Sequence, residues 1–200
     1  MSKGCIIAAV IGAVIVGVLL IGFFIYQSTY NTIITMDENV KAKFGNVQAQ
    51  YQRRMDLIPN LVEVVKGYAA HERGTLEAVV QARAQATQTK LDINSAESLA
   101  KFQAAQGNMM QALSRLMVVV ENYPDLKANQ NFLDLQAQLE GTENRIGIAR
   151  RRYIESVQGF NDLVNVPPTS WTNSLFYHKK PKAQFTATTT GAEKAPEVKF

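Results

Sequence analysis

The stretch LAKFQAAQGNMMQALSRLMVVVENY, residues 99–123, decides the fold class. In it Leu99, Phe102, Gln106, Met109, Leu113, Leu116, Val120 and Tyr123 recur at steps of three and four. That rhythm follows the 3.6-residue turn and sets these side chains on one face of a helix, whereas a strand would alternate in steps of two. Three further stripes flank it. Upstream lie Tyr30, Ile33, Asp37, Val40, Phe44, Val47 and Tyr51, then, less strictly, Leu57, Leu61, Val65, Tyr68, Leu76 and Val79. Downstream run Phe132, Leu135, Leu139, Thr142, Ile146, Ala149, Tyr153, Val157, Phe160 and Val164. Four stripes joined by short connections predict an all-α protein, an elongated antiparallel up-down four-helix bundle. Its helices are expected over about 27–54, 57–89, 95–122 and 127–165.

The expected breaks rest on capping chemistry. Asp56 would cap the second helix, with Pro59 in the first turn, where a missing N–H costs nothing. Ser95 would cap the third. Tyr123-Pro124 would end it, because the residue before proline resists helical dihedrals. The run from Asn165 to Pro168 would stop the fourth.

Ahead of the bundle stands CIIAAVIGAVIVGVLLIGFFIY, residues 5–26, without a single charge. It is long enough to cross a hydrocarbon layer of about 30 Å as a helix. It exceeds the apolar core of a secretory signal and ends in FFIYQSTY rather than a small-residue cleavage site, so it reads as an uncleaved anchor. Phe23, Phe24 and Tyr26 suit the interface. With no proline or Gly cluster before Tyr51, the anchor should continue directly into the first bundle helix. Ala9, Ala13 and Gly17, four apart, offer a small-residue face for packing of membrane helices and hence self-association. The chain thus divides into a short end (1–4), the transmembrane helix (5–26), the bundle (27–166) and an irregular basic tail (167–200). Lys3 on the short side favours the N-terminus inside and the bundle outside, by a charge or two.

The charge of +4 has a definite location. Residues 27–170 carry fifteen Lys and Arg against fifteen Asp and Glu, and the excess lies at the two ends. A neutral middle without a basic aromatic face argues against nucleic acid. The single cysteine, Cys5, excludes an internal disulfide, and two histidines, His71 and His178, leave little for metal or acid–base chemistry. His71-Glu72 lacks the repeated Glu-x-x-His of di-iron bundles, so no metal or cofactor is expected. No catalytic set emerges.

Two polar clusters remain as candidate sites. Arg53, Arg54 and Asp56 form a possible partner or anion site at the bundle tip, or simply mark a helix end through the dipole. Trp171, Phe176, Tyr177, Lys179 and Lys180 follow the fourth helix, which an up-down path returns to the membrane side. Aromatics at an interface and lysines near an anionic leaflet make a membrane contact. The same aromatics could equally cover the open end of the bundle. Asp37 and Thr142, on apolar stripes, read either as a polar layer that sets register or as surface residues after a small rotation. Arg150, Arg151 and Arg152 read as a solvated basic turn.

The segments QRRMDLIPNLVEVVKGYAAHE (52–72), AVVQARAQA (78–86) and ENYPDLKANQNFLDLQAQLEGTENRIGIARRRYIESVQGFN (121–161) resemble the bacterial LemA family. The resemblance runs from Tyr30 to about Asn165 and loses definition after Pro168, except for the final PEVKF. It implies a membrane-anchored antiparallel four-helix bundle and no established enzymatic activity. A LemA-like branch occurs among magnetosome membrane proteins, which by analogy implies membrane organisation. The expected function is therefore a non-enzymatic scaffold that self-associates or docks a protein partner of unknown identity at the bilayer. The alternative is a ligand-sensing domain with its site at the bundle tip.

Overall fold

A computed structural model describes residues 3–185, with side chains described at residue 4 and from residue 9 onward. The rest of the expected tail, residues 186–200, and the side chains of Cys5 to Ala8 lie outside the described residues. The architecture is helical, with no strand among the described residues. The helices are α1 (Lys3–Tyr68), α2 (Arg73–Gln88), α3 (Ala96–Val120), α4 (Pro124–Lys127), α5 (Gln130–Asn165) and α6 (Thr169–Thr172), followed by a π-helical turn, Asn173–Tyr177. The chain forms two units: Met1–Lys41 with Gln158–Pro181, and Ala42–Val157 with Lys182–Phe200.

The expected continuity of the apolar segment with the next helix is observed, since α1 is one helix from Lys3 to Tyr68. The predicted break between residues 54 and 57 is not. Asp56 caps nothing; it sits inside α1 and accepts a hydrogen bond from Gln52 Nε2 at 2.7 Å. Pro59 also lies inside α1. A proline there deprives the carbonyl four residues back of its helical partner. That carbonyl belongs to Met55, and Arg83 Nε donates to it at 2.9 Å. A side chain from α2 thus replaces the missing N–H, and the helix continues to Tyr68. The chain turns at residues 69–72 instead.

Other boundaries follow the expected chemistry. Ser95 caps α3, its Oγ accepting from the Ser98 amide at 3.1 Å. Val120 ends α3, Tyr123-Pro124 opens α4, and Asn129 Oδ1 accepts from the Phe132 amide at the start of α5. The predicted fourth helix is α5, preceded by the short α4, and it ends at Asn165 ahead of the prolines. The tail is not wholly irregular, because residues 169–177 are helical.

In the second unit the predicted stripes converge. Met55, Ile58, Leu61 and Val65 of α1 pack with Leu76 and Val79 of α2, Met109, Leu113 and Leu116 of α3, Leu126 of α4, and Phe132 and Leu139 of α5 in one core. Aromatic pairs extend it: Tyr51 meets Phe102 edge-on at 4.9 Å, and Tyr153 lies 5.6 Å from Phe44 and 5.4 Å from Phe185. In the first unit Ile33 and Val40 of α1 and Phe160 and Val164 of α5 are buried. The apolar segment differs completely. From Val10 to Ile25 its large side chains are 53–69% exposed. This is the one helix among the described residues long and apolar enough to cross a membrane.

Candidate functional site

The apolar segment ends at an aromatic collar in the first unit. Tyr177 donates its hydroxyl hydrogen bond to the Tyr26 carbonyl at 3.0 Å. Its ring lies 5.4 Å from that of Tyr26 and 5.6 Å from that of Tyr30, and Phe176 meets Tyr26 edge-on at 5.3 Å. Trp171, Leu175 and Phe176 remain 59–69% exposed. Asn173, buried, fixes this arrangement. Its Nδ2 donates to the Lys179 carbonyl and its Oδ1 accepts from the Lys179 amide, both at 3.0 Å. The His178 amide donates to the Asn173 carbonyl at 2.8 Å, with His178 itself at φ 52°. The double clamp holds a π-turn and a left-handed residue that packing alone would not specify.

A charged group lies beside the collar. The Asp37 carboxylate, 6% exposed, has Lys41 Nζ at 3.3 Å and Lys179 Nζ at 3.7 Å. Hydrogen bonds first to Glu38 and then to Asp37 hold the Lys41 ammonium above its usual pKa. Asp37 is therefore a buried, paired acid rather than a surface residue, and it ties the tail lysine to α1. Exposed aromatics, a hydroxyl-anchored tyrosine and adjacent lysines thus lie together where the apolar segment ends.

The second polar centre lies in the second unit. Arg54, 2% exposed, pairs its Nη1 with Glu143 Oε1 at 2.6 Å and its Nη2 with Gln106 Oε1. Its guanidinium sits 5.1 Å from the centre of the Tyr51 ring. Burial raises the Tyr51 pKa, against the charge of Arg150 and Arg54. These residues, with Gln103 and Arg150, line a cleft of about 370 Å³. The sequence expectation for this cluster needs correction. Arg53, Arg54 and Asp56 are neither at a tip nor at a helix end, because α1 continues to Tyr68. Arg53 and Asp56 are exposed, while Arg54 turns into the core. Thr142 is also buried, its hydroxyl donating to the Gln138 carbonyl at 2.7 Å.

The sequence reading missed three structural partners: Asn173, the Arg83–Met55 contact and the bond from Tyr123 Oη to Glu72 Oε1 at 3.1 Å. The last raises the Tyr123 pKa, since a phenolate would face a carboxylate. None of the three left a local signal, because even Pro59 reads as a helix start until α1 is seen to run through it. The set expected to touch a membrane divides. Trp171, Phe176 and Lys180 are exposed, whereas Tyr177 and Lys179 are tied down. Ala9 and Ala13 are exposed, and a side chain at Gly17 would meet nothing within 4 Å.

The family model of the LemA family matches residues 43–200. The match starts later than the resemblance read from the motifs and extends through the C-terminal tail, of which the motifs had matched only the final PEVKF. The chain is similar to "Magnetosome protein MamQ 2" of Paramagnetospirillum magneticum, 26% identical over 181 residues, covering 76% of this chain and 65% of that protein. It is 27% identical to "Magnetosome protein MamQ" of Magnetospirillum gryphiswaldense over 178 residues, with the same coverage. It is 24% identical to "Protein LemA" of Metamycoplasma hominis over 153 residues, covering 76% of this chain and 66% of that protein. The chain thus spans just under two thirds of the length of these relatives.

Proposed function

The chain belongs to the LemA family, and from that premise we propose that it is a non-enzymatic, membrane-anchored helical scaffold. It self-associates or docks protein partners at the bacterial inner membrane. In this reading α1 crosses the bilayer once through residues 5–26, with the N-terminus inside. The remaining helices stand on the outer side as an antiparallel four-helix bundle.

The observation that carries the proposal is the apolar first third of α1, whose large side chains from Val10 to Ile25 are all exposed. Exposing one large apolar side chain to water costs about 1.5–3 kcal/mol, and twelve are exposed between Val10 and Ile25. Only lipid or other helices can relieve that cost. The collar around Tyr26 supports the same reading, because it seats the tail's aromatics where the apolar segment ends. Relatives named as magnetosome proteins fit work at a membrane. The relevant experiment is size measurement of the detergent-solubilised full chain, with co-purifying proteins identified. The proposal expects a multimer or a reproducible partner, and a strict monomer without partners would sink the scaffold role.

A further inference from the structure

A second cleft of about 370 Å³ lies between α1 and α5 in the second unit, lined among others by Lys43, Asn46, Gln50, Arg145 and Arg152. Three cations line it and no carboxylate does. None of the three has an ion pair or a side-chain hydrogen bond among the described residues. By contrast, Lys41, Lys66, Lys101 and Lys127 each sit against a carboxylate. Residues 27–170 are charge-balanced, so the cluster does not reflect a generally basic domain. The basic turn at 150–152 is thus divided: Arg152 faces this cleft and Arg150 lines the other one. Gln50 adds an independent sign. Its Oε1 is buried without a hydrogen-bond partner. A half-turn of that amide would present two N–H donors instead.

We propose that this cleft binds a phosphoryl-bearing anion. Lys43, Arg145 and Arg152 would hold its charge, and the amides of Asn46 and Gln50 would donate to its remaining oxygens. Two guanidinium forks and an ammonium match the several oxygens and double charge of a phosphoryl group better than a single carboxylate. A cleft lined by one sign of charge also concentrates its counter-ion. The phosphoryl group can come from a soluble metabolite or from a lipid headgroup.

The test uses the full chain in nanodiscs and follows helix melting by circular dichroism. In neutral phosphatidylcholine discs, inorganic phosphate should raise the melting temperature saturably, and chloride at equal ionic strength should not. Arg145→Gln and Arg152→Gln should each weaken the phosphate response about tenfold. Without phosphate they should melt no lower than wild type, because they relieve repulsion. A purely structural arginine would show the opposite. Arg151→Gln, exposed and outside the cleft, should respond as wild type. If the source is lipid, phosphatidylglycerol discs alone should produce the rise, again lost in Arg152→Gln. No saturable rise in either arm, or an unchanged rise in the double variant Arg145→Gln/Arg152→Gln, overturns the proposal.

Discussion

Arg54 shows how two neighbouring residues of one type can differ entirely. It is buried and paired with Glu143 and Gln106, whereas Arg53 beside it is exposed. Glu143 stays about a third exposed, but removing Arg54 leaves the buried Gln106 Oε1 without its donor, so Arg54→Ala should cost about 1–3 kcal/mol in urea unfolding. Arg53→Ala should stay within about 0.5 kcal/mol. Similar midpoints for both would mean the pair contributes nothing to the core. Tyr153 makes a second prediction. It is fully buried, its hydroxyl donates to the Ala183 carbonyl at 2.9 Å, and burial pushes its pKa up to about 12. Unfolded, the phenol loses its proton near pH 10. Between these values the folded chain keeps a proton that the unfolded chain has released. Stability therefore falls as pH rises through this window, by about 2–3 kcal/mol in all. Tyr153→Phe should lower stability near neutrality by about 1 kcal/mol through the lost hydrogen bond, yet flatten the alkaline decline. An equally steep decline in the variant would assign it to other tyrosines.

At the level of elements, the stripes were largely legible because periodicity reports burial directly. Seven of the eight stripe residues from Leu99 to Tyr123 are buried, as are Phe132, Leu139, Ile146, Tyr153, Val157, Phe160 and Val164. The capping of α3 by Ser95 was equally local and equally readable. What the sequence concealed depends on contacts distant along the chain. Pro59 looks like a helix start until Arg83 is seen replacing its missing N–H, and no window of α1 contains Arg83. The clamp by Asn173 likewise depends on a turn that no periodic pattern announces. The Pro59–Arg83 relation can be tested by a double-mutant cycle. Arg83→Ala should cost about 1–2 kcal/mol, because it leaves the Met55 carbonyl part-buried and unpaired. In a Pro59→Ala background the helix supplies its own N–H, and the same substitution should cost less than about 0.5 kcal/mol. Additive effects would show that the two residues are energetically independent. Within the membrane segment, Gly17→Ile should reduce assembly size if the Ala9, Ala13 and Gly17 face packs against another copy. An unchanged size in detergent would place the contact elsewhere.

For the whole molecule, the account rests on one claim: the apolar first third of α1 lies in a bilayer, and the collar of Tyr26, Tyr30, Phe176 and Tyr177 marks its surface. Family membership and an exposed apolar helix support it, and the hydrogen bond from Tyr177 to Tyr26 brings the tail to the same level of the chain. The tail's lysines would then add about 1 kcal/mol each near an anionic leaflet. The most direct test places a polarity-sensitive fluorophore at position 176 or at position 125 of the full chain in anionic liposomes. Position 176 is exposed in the collar and 125 is exposed in α4. The account predicts a blue-shifted, lipid-like emission from 176 and a water-like emission from 125. Water-like emission from both would contradict it, leaving the collar as a cover for the buried side chains of its own unit rather than a contact with the membrane.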